Sequence, residues 1–187
     1  MDIDEQSFPL LEMKSSAHAV AAGAFSTIFS AWARPVVDPI LIATNKISVR
    51  GQTRTKKADF AWYPASKLDG RSQTWPTFVG EVACSEHRRS SVNVAITISV
   101  LRDKIMVESW ARGHDRPPSP NQKIEIVRHP HPGCSRVSGQ LEIQFSDVFG
   151  RAKREEESNF ILTATDMEEI ATPTWALQCT GEQDGSR

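Results

Sequence analysis

Cysteine is scarce in this chain, and its few copies lack the pattern of a disulfide framework. Cys84, Cys134 and Cys179 are odd in number, widely spaced and without a CxxC motif. Small disulfide-stabilised domains instead carry even, closely spaced sets of cysteines. We therefore expect no disulfide partner and a reducing compartment, either the cytoplasm or the nucleus.

The chain also lacks a net charge of either sign. Its 22 lysines and arginines nearly balance 23 aspartates and glutamates, which leaves a net charge of −1 at pH 7. No global field then attracts a polyanion, so nucleic-acid binding would have to come from a local patch. One run of basic residues, uninterrupted by acidic residues, precedes Asp59: Lys46, Arg50, Arg54, Lys56 and Lys57. This run is either a site for about five phosphates or a solvated basic face.

Three aromatic residues follow the basic run. Phe60, Trp62 and Tyr63 could stack on the bases of a bound nucleic acid. They belong to the largely apolar segment 58–63, which reads as extended. We therefore expect at least two of them to pack in the hydrophobic core.

Signatures of several other protein classes are missing. The sequence has no GxxxxGK[ST], GxGxxG or GxSxG motif, so nothing indicates a phosphate-binding loop or a nucleophile elbow. Residues 17–33 carry no Asp, Glu, Lys or Arg, but they fall short of the roughly 20 apolar residues that span a bilayer. The acidic residues near the start do not fit a secretory signal. We expect a buried or amphipathic helix and no membrane partner.

The length of 187 residues fits one domain with short tails. We assign 1–14 and 179–187 to the tails and 15–178 to the domain. Apolar residues at helical spacing predict a helix from Ser15 or Ser16 to about Arg34, where Pro35 ends it. A short closing helix is expected where Thr165 and Glu168 have capping-box spacing, with Pro173 interrupting it.

Between these helices, alternating or continuous apolar residues predict strands. The expected extended segments are 39–43, 46–50, 58–63, 76–84, 92–100, 105–110, 123–128 and 140–145. The fold class is therefore α/β or α+β, with a central mixed β-sheet flanked by an N-terminal helix and a short C-terminal helix. Strands after residue 92 are expected to add to the sheet as antiparallel hairpins.

Two acidic residues stand out within the apolar segments. Glu81 interrupts the strand 76–84, where an unpaired charge would cost several kcal/mol. Asp59 lies on the preceding strand candidate, 58–63, also between apolar neighbours. Two carboxylates on adjacent strands could share one divalent cation. Alternatively, Glu81 forms an ion pair with an arginine in the core, and Asp59 is an ordinary turn or edge residue.

The segments around these carboxylates resemble a known family. The residues from Lys57 through Asp59 to Pro64, and from Trp75 through Glu81 to Glu86, are similar to the motif region of PD-(D/E)xK restriction-endonuclease-like domains, which are abundant in fungal genomes. The resemblance covers roughly residues 17–178. It implies that Asp59 and Glu81 bind Mg²⁺ or Mn²⁺ and are catalytic.

The resemblance also implies a reaction and a substrate surface. A metal-activated water would attack a phosphodiester bond. The basic residues near the two motifs would hold the nucleic acid, whether DNA or RNA. These nucleic-acid-binding candidates are Arg54, Lys56, Lys57, Arg88 and Arg89.

The sequence departs from the family pattern in two places. Ala83 occupies the position of the family's lysine, which orients the attacking water, and Glu86, Arg88 and Arg89 are candidate substitutes. The family's core crossover helix is missing, because only residues 85–91 separate two predicted strands. A parallel crossover usually needs a dozen or more residues. The chain therefore either returns antiparallel or shortens one strand.

Two functions follow from these observations. One is a Mg²⁺- or Mn²⁺-dependent nuclease that uses Asp59 and Glu81. The other is a catalytically inactive descendant that binds nucleic acid or protein. Ala83 and the short connection favour the second function, whereas the retained pair of carboxylates favours the first.

Overall fold

The computed structural model describes residues 16–45, 48–50, 55–65, 76–82, 93–111, 120–129 and 135–181. In these ranges the helices are α1 (Ser16–Ala33), α2 (Phe145–Phe149) and α3 (Ala164–Gly181). The strands are β1 (Leu41–Asn45), β2 (Ser48–Arg50), β3 (Thr55–Lys57), β4 (Phe60–Pro64), β5 (Phe78–Val82), β6 (Val94–Val100), β7 (Lys104–Ala111), β8 (Gln122–Val127), β9 (Arg136–Ile143) and β10 (Phe160–Leu162).

The described strands form one large mixed sheet and one small ribbon. The large sheet has eight strands in the order β1-β4-β5-β6-β7-β8-β9-β10, and β2 pairs with β3 separately. The β5–β6 pair is parallel, and the other pairs of the large sheet are antiparallel. This confirms a mixed sheet with an N-terminal and a C-terminal helix, extended after residue 92 by antiparallel strands.

The connection between β5 and β6 resolves one alternative left open by the sequence. The pair is parallel, so an antiparallel return is wrong. Both strands begin later than the sequence indicates, since β5 starts at Phe78 and not at residue 76, and β6 starts at Val94 and not at residue 92. Most of the connection between the two strands, residues 83–92, lies outside the described residues. The predicted absence of the crossover helix falls on this segment and stays a prediction.

Helix α1 buries a stripe of residues four positions apart. Ala17, Ala21, Phe25, Phe29 and Ala33 are buried, which agrees with the helical spacing of apolar residues in the sequence. The helix packs against β5, β6 and α3 and ends before Pro35, which cannot continue a helix. Within the described ranges, no helix is long and apolar enough to cross a bilayer.

An aromatic cluster between α1 and the sheet forms the centre of the core. It contains Phe25, Phe29, Phe60, Trp62, Phe78 and Phe160, which are nearly inaccessible to solvent. The rings pack in stacked and edge-on pairs with centroids 4.3–6.4 Å apart. Phe60 and Trp62 are therefore core residues, as expected, and are not available to stack on bases.

The C-terminal helix differs from the expectation in its start and its length. It begins at Ala164, capped by Thr163 and Asp166: the Thr163 N–H donates to Asp166 Oδ2 (2.7 Å) and the Asp166 N–H to Thr163 Oγ1 (3.2 Å). The expected cap at Thr165 is wrong because this reciprocal pair lies two residues earlier. The helix continues to Gly181, so the backbone of residues 179–181 is helical.

Pro173 does not interrupt α3, contrary to the expectation. Proline removes one helical hydrogen bond and crowds the preceding turn. Pro173 itself is exposed, whereas Ile170 and Thr174 are buried against the core and Thr174 Oγ1 donates to the Ile170 carbonyl (2.6 Å). Packing on the inner face therefore holds the helix together across the proline.

The charged connector 151–157 is held by an ion pair that the sequence did not specify. Arg151 donates to both carboxylate oxygens of Glu157 and through Nε to the Asp38 carbonyl (2.7 Å). The Arg154 N–H also donates to Glu157 (2.7 Å). These donors, led by the Arg151 guanidinium, lower the pKa of Glu157 from 4.5 to about 2.

The Glu157 contacts predict an acid-sensitive contribution to stability. A carboxylate with a lowered folded-state pKa stabilises the fold above its unfolded-state pKa, and this contribution is lost as the pH falls. We expect it to be complete above about pH 4.5 and to disappear toward pH 2, which chemical denaturation at several pH values measures. The Glu157→Gln variant should show a flatter dependence in this window. Glu156→Gln, at an exposed neighbouring residue, is the control. If it flattens the pH dependence of stability as much as Glu157→Gln does, the assignment to Glu157 is wrong.

Candidate metal centre

Asp59 and Glu81 lie close together at one end of the β4–β5 pair. The antiparallel register ends with Phe60 opposite Gly80. Asp59 directly precedes Phe60 and Glu81 directly follows Gly80, so the two residues are neighbours at the point where the regular pairing stops. Both carboxylates are half-buried. The structure therefore brings together the two acidic residues that the sequence singled out.

Backbone hydrogen bonds fix Asp59 beside the glutamate strand. The Asp59 N–H donates to the Gly80 carbonyl (3.0 Å), and the Val82 N–H donates to Asp59 Oδ2 (2.8 Å). These contacts flank Glu81 on both sides. Asp59 is therefore positioned through both its backbone and its side chain.

Side chains alternate between the two faces of β5, and this alternation places Glu81 outside the main hydrophobic core. Phe78, Gly80 and Val82 belong to the face that packs under α1, whereas Val79 and Glu81 belong to the other face. Val79 packs there with Ala58 and Ala61 in a separate small apolar cluster. Glu81 is therefore a half-buried residue at the edge of this cluster. The full cost of a charge inside the core does not apply to it.

Gly80 allows β4 and β5 to approach at this point. A Cβ atom at Gly80 would lie only 1.6 Å from Cε2 of Phe60. The ring of Phe60 occupies the space over the glycine while it stacks on Phe25 (5.4 Å between centroids). The glycine before Glu81 is thus required by packing.

A row of polar residues continues from the carboxylate pair across the sheet. Cross-strand pairing connects Glu81 to Thr97, Thr97 to Glu108, Glu108 to Lys123 and Lys123 to Gln140. We call Asp59, Glu81, Thr97, Glu108, Lys123 and Gln140 the polar row. Thr97 and Glu108 were not predicted from the sequence, although the alternation of strand 92–100 placed Thr97 on the face away from its isoleucines.

The pair of carboxylates fits a Mg²⁺ or Mn²⁺ ion that keeps several waters. Magnesium sites commonly use only one or two carboxylates and complete their coordination with water and substrate oxygens. In the described part of the chain, no group of three or more His, Cys, Asp or Glu side chains could hold a metal. A closed site made of protein ligands alone is therefore not formed by these residues, whereas an open hydrated site is compatible with them.

No residue of the polar row takes the lysine position that the family resemblance implies. Lys123 is the lysine of this row, but three strand spacings separate it from Glu81, which is about 14 Å. It also forms an ion pair with Glu125 (2.8 Å). That contact, together with the charge of Glu108, raises the pKa of Lys123. Ala83 and its candidate substitutes Glu86, Arg88 and Arg89 lie outside the described residues.

Only the backbone of part of the predicted nucleic-acid surface is described. Lys56 and Lys57 belong to β3, where they pair with Val49 and Ser48 of β2. This ribbon keeps the register of the β1–β4 hairpin, so it continues past the end of β4 that carries Asp59. Arg54, Arg88 and Arg89 lie outside the described residues.

Comparison with known proteins gives little beyond this geometry. No family model matches the sequence. No curated protein matches it. Among solved structures, a suspected nuclease of the DUF820 family from Anabaena variabilis is similar, with a TM-score of 0.37 and 10% identity over 58% of this chain and 74% of that chain. This similarity is distant, and the function proposed below is supported by the geometry of Asp59 and Glu81.

Proposed function

We propose that this chain is a metal-dependent nuclease-like domain that hydrolyses phosphodiester bonds. The observation that carries the proposal is the placement of Asp59 beside Glu81, where the Gly80 carbonyl accepts from the Asp59 N–H and the Val82 amide donates to the Asp59 carboxylate. Both residues would bind Mg²⁺ or Mn²⁺ through carboxylate oxygens, the ligand type that these ions prefer. When bound, the ion would activate a water molecule and offset the charge that develops on the phosphate.

The chain's own residues have distinct parts in this proposal. The Val82 amide keeps Asp59 beside Glu81, so that the two carboxylates are preorganised before an ion binds. Arg54, Lys56, Lys57, Arg88 and Arg89 would hold the phosphates of DNA or RNA, and this binding would weaken as salt rises. The β2–β3 ribbon supports this assignment for Lys56 and Lys57, because it continues from the hairpin that carries Asp59.

A test of the metal site is calorimetric titration with Mn²⁺. We expect saturable binding by the parent chain and its loss in Asp59→Asn and in Glu81→Gln, because each variant removes one negative ligand. Asparagine keeps an oxygen that can accept from the Val82 N–H, so Asp59→Asn separates the metal role from the structural hydrogen bond. Asp59→Ala should lose both.

Glu108→Gln provides the matched control. It removes the same charge from the same polar row, but Glu108 lies two strands from Glu81, and we expect parental affinity. If the parent does not bind Mn²⁺ at millimolar concentration, or if Glu81→Gln binds as tightly as the parent, the metal site is wrong.

The second candidate function is an inactive module that binds nucleic acid or protein. It is favoured by Ala83 at the position of the family's lysine and by the distance of Lys123 from Glu81. An assay of oligonucleotide cleavage with Mn²⁺ distinguishes the two candidates. Cleavage that Glu81→Gln abolishes supports the nuclease, whereas metal binding or nucleic-acid binding without cleavage supports the inactive module.

A further inference from the structure

Strand β1 forms one edge of the large sheet, with β4 on its inner side. The Ala65 N–H donates to the Ile40 carbonyl (2.7 Å), so Ile40 takes part in a hydrogen-bonded pair with the chain of β4. Bonded and non-bonded positions alternate along an antiparallel pair. Ile42 therefore also bonds to β4, whereas Leu41 and Ala43 direct their N–H and C=O groups outward. In the described part of the chain, these outward groups have no backbone partner.

Large apolar side chains are exposed at this edge. Ile40 is 60% exposed and Ile42 is 39% exposed. Because the two residues are two positions apart in a strand, their side chains project from the same face. Val37, just before them in the chain, is 73% exposed. Exposed apolar residues that lie together mark a surface for interaction with another molecule.

The β1 edge also lacks the features that usually keep an edge strand from pairing with another chain. Charged side chains, prolines, bulges and very short strands provide such protection. Residues 40–45 contain no charged residue and no proline, and β1 pairs with β4 at five consecutive positions without a bulge. At the opposite edge of the sheet, β10 has only three residues. The β1 edge is therefore the one suited to accept a further strand.

A second copy of the same strand fits this edge. An uncharged segment meets no charge repulsion in a copy of itself, and a net charge of −1 at pH 7 leaves little long-range repulsion between two chains. A two-fold axis at Ile42 would set Leu41 opposite Ala43 of the partner subunit, so that the outward groups of both chains exchange hydrogen bonds. The same register would set the two copies of Ile42 opposite each other.

We propose that β1 is a dimerisation strand, through which two copies of this chain pair antiparallel about an axis at Ile42. The pairing joins the two large sheets into one and covers Ile40 and Ile42 of both chains. Because the same edge is used by each copy, the contact is closed and forms a dimer without open-ended growth. This inference is independent of the proposed nuclease activity.

Substitution of Ala43 by proline tests the hydrogen bonds between the copies. The Ala43 N–H faces outward, so Ala43→Pro removes a donor to the partner and no bond to β4, and proline is tolerated at such positions of edge strands. Sedimentation equilibrium over a range of concentrations should show a dimer for the parent and a monomer for Ala43→Pro. The circular-dichroism spectrum should stay that of the parent. If Ala43→Pro does not fold, Ile42→Lys replaces it, because it sets two positive charges against each other at the axis.

Ile161→Lys is the matched control for Ile42→Lys. It places the same charge at an exposed isoleucine of β10, on the opposite edge of the sheet, and should remain dimeric. A parent that is monomeric at every concentration would overturn the proposal and leave the edge to a strand of another protein. Folded Ala43→Pro and Ile42→Lys variants that stay dimeric, or dissociation by Ile161→Lys alone, would also overturn it.

Cysteine cross-linking tests the register. In a non-hydrogen-bonded antiparallel pair the Cα atoms are about 4.5 Å apart, which a disulfide can bridge. Ile42→Cys should therefore form a covalent dimer under mild oxidation that a reductant reverses. Ile40→Cys is the control, because the two copies of residue 40 would be four positions apart, about 14 Å. The parent accounts for the chain's own cysteines. Cross-linking of Ile40→Cys equal to or greater than that of Ile42→Cys would contradict the axis at Ile42.

Discussion

Replacing Phe29 by alanine is expected to lower the free energy of unfolding by about 3–5 kcal/mol, the range for removing a large aromatic side chain from a packed core. Phe29 is fully buried. Its ring contacts Phe78 (4.3 Å), Trp62 (4.5 Å) and Phe160 (5.1 Å), so one side chain connects α1 to β5, β4 and β10. The cavity cannot collapse without moving all of these elements.

Denaturant unfolding of three variants measures the effect of Phe29. Ile40→Ala removes a large apolar side chain that is 60% exposed, and we expect a change within about 0.5 kcal/mol. Phe29→Leu retains most of the volume and should fall between the two. A cost for Phe29→Ala no greater than that for Ile40→Ala would contradict the packing of α1 on the sheet.

Replacing Gly80 by alanine is expected to cost about 1–3 kcal/mol, as overpacking of a well-filled core does. The new Cβ would overlap the ring of Phe60. This ring cannot swing aside freely, since it stacks on Phe25 and meets Trp62 edge-on at 5.3 Å. Urea unfolding of the variant measures the cost.

The same substitution at Gly23 should have the opposite sign. Gly23 is exposed in the middle of α1, and a Cβ there would meet nothing within 4 Å. Alanine is preferred over glycine in a helix by about 0.5–1 kcal/mol, so Gly23→Ala should stabilise. A stabilising Gly80→Ala would show that β4 and β5 do not approach as described.

The overlap that alanine at position 80 creates should also be relieved by replacing Phe60 with a smaller residue. In Gly80→Ala with Phe60→Leu we expect a cost smaller than the sum of the two single costs, because one change removes the overlap that the other creates. Gly80 precedes Glu81 and accepts the Asp59 N–H. Gly80→Ala should therefore also weaken Mn²⁺ binding, whereas Gly23→Ala should not.

The two predictions connect the core to the candidate site. The aromatic cluster fixes β4 and β5 under α1, and Asp59 and Glu81 lie beside each other at the end of the same strand pair. Core variants should therefore affect the metal site in proportion to how far they disturb this strand pair. Variants on the part of α3 that packs on β8 and β9 should affect stability more than metal binding.

Much of the secondary structure could be predicted from the sequence, because it depends on local periodicity. Helical spacing of apolar residues and Pro35 located α1, and alternation located β4 through β8 within a few residues. Asp59 and Glu81 stood out since acidic residues are unusual in apolar strands. Features with weak local signals were missed or misplaced. Strand β10 has only three residues, and Thr163 and Thr165 offer competing caps for α3.

The pairing of the strands, and so the neighbours of each residue across the sheet, could not be predicted from the sequence. Pairing of β5 with β6 is parallel although the intervening segment is short, and the choice depends on how all the strands pack under α1. The same order brings Thr97 and Glu108, distant in sequence, into one row with Glu81. Local patterns report which face of a strand a residue occupies, whereas its neighbours across the sheet are fixed only by tertiary pairing. The sequence by itself therefore determined the two candidate ligands, and the fold determined the residues that surround them.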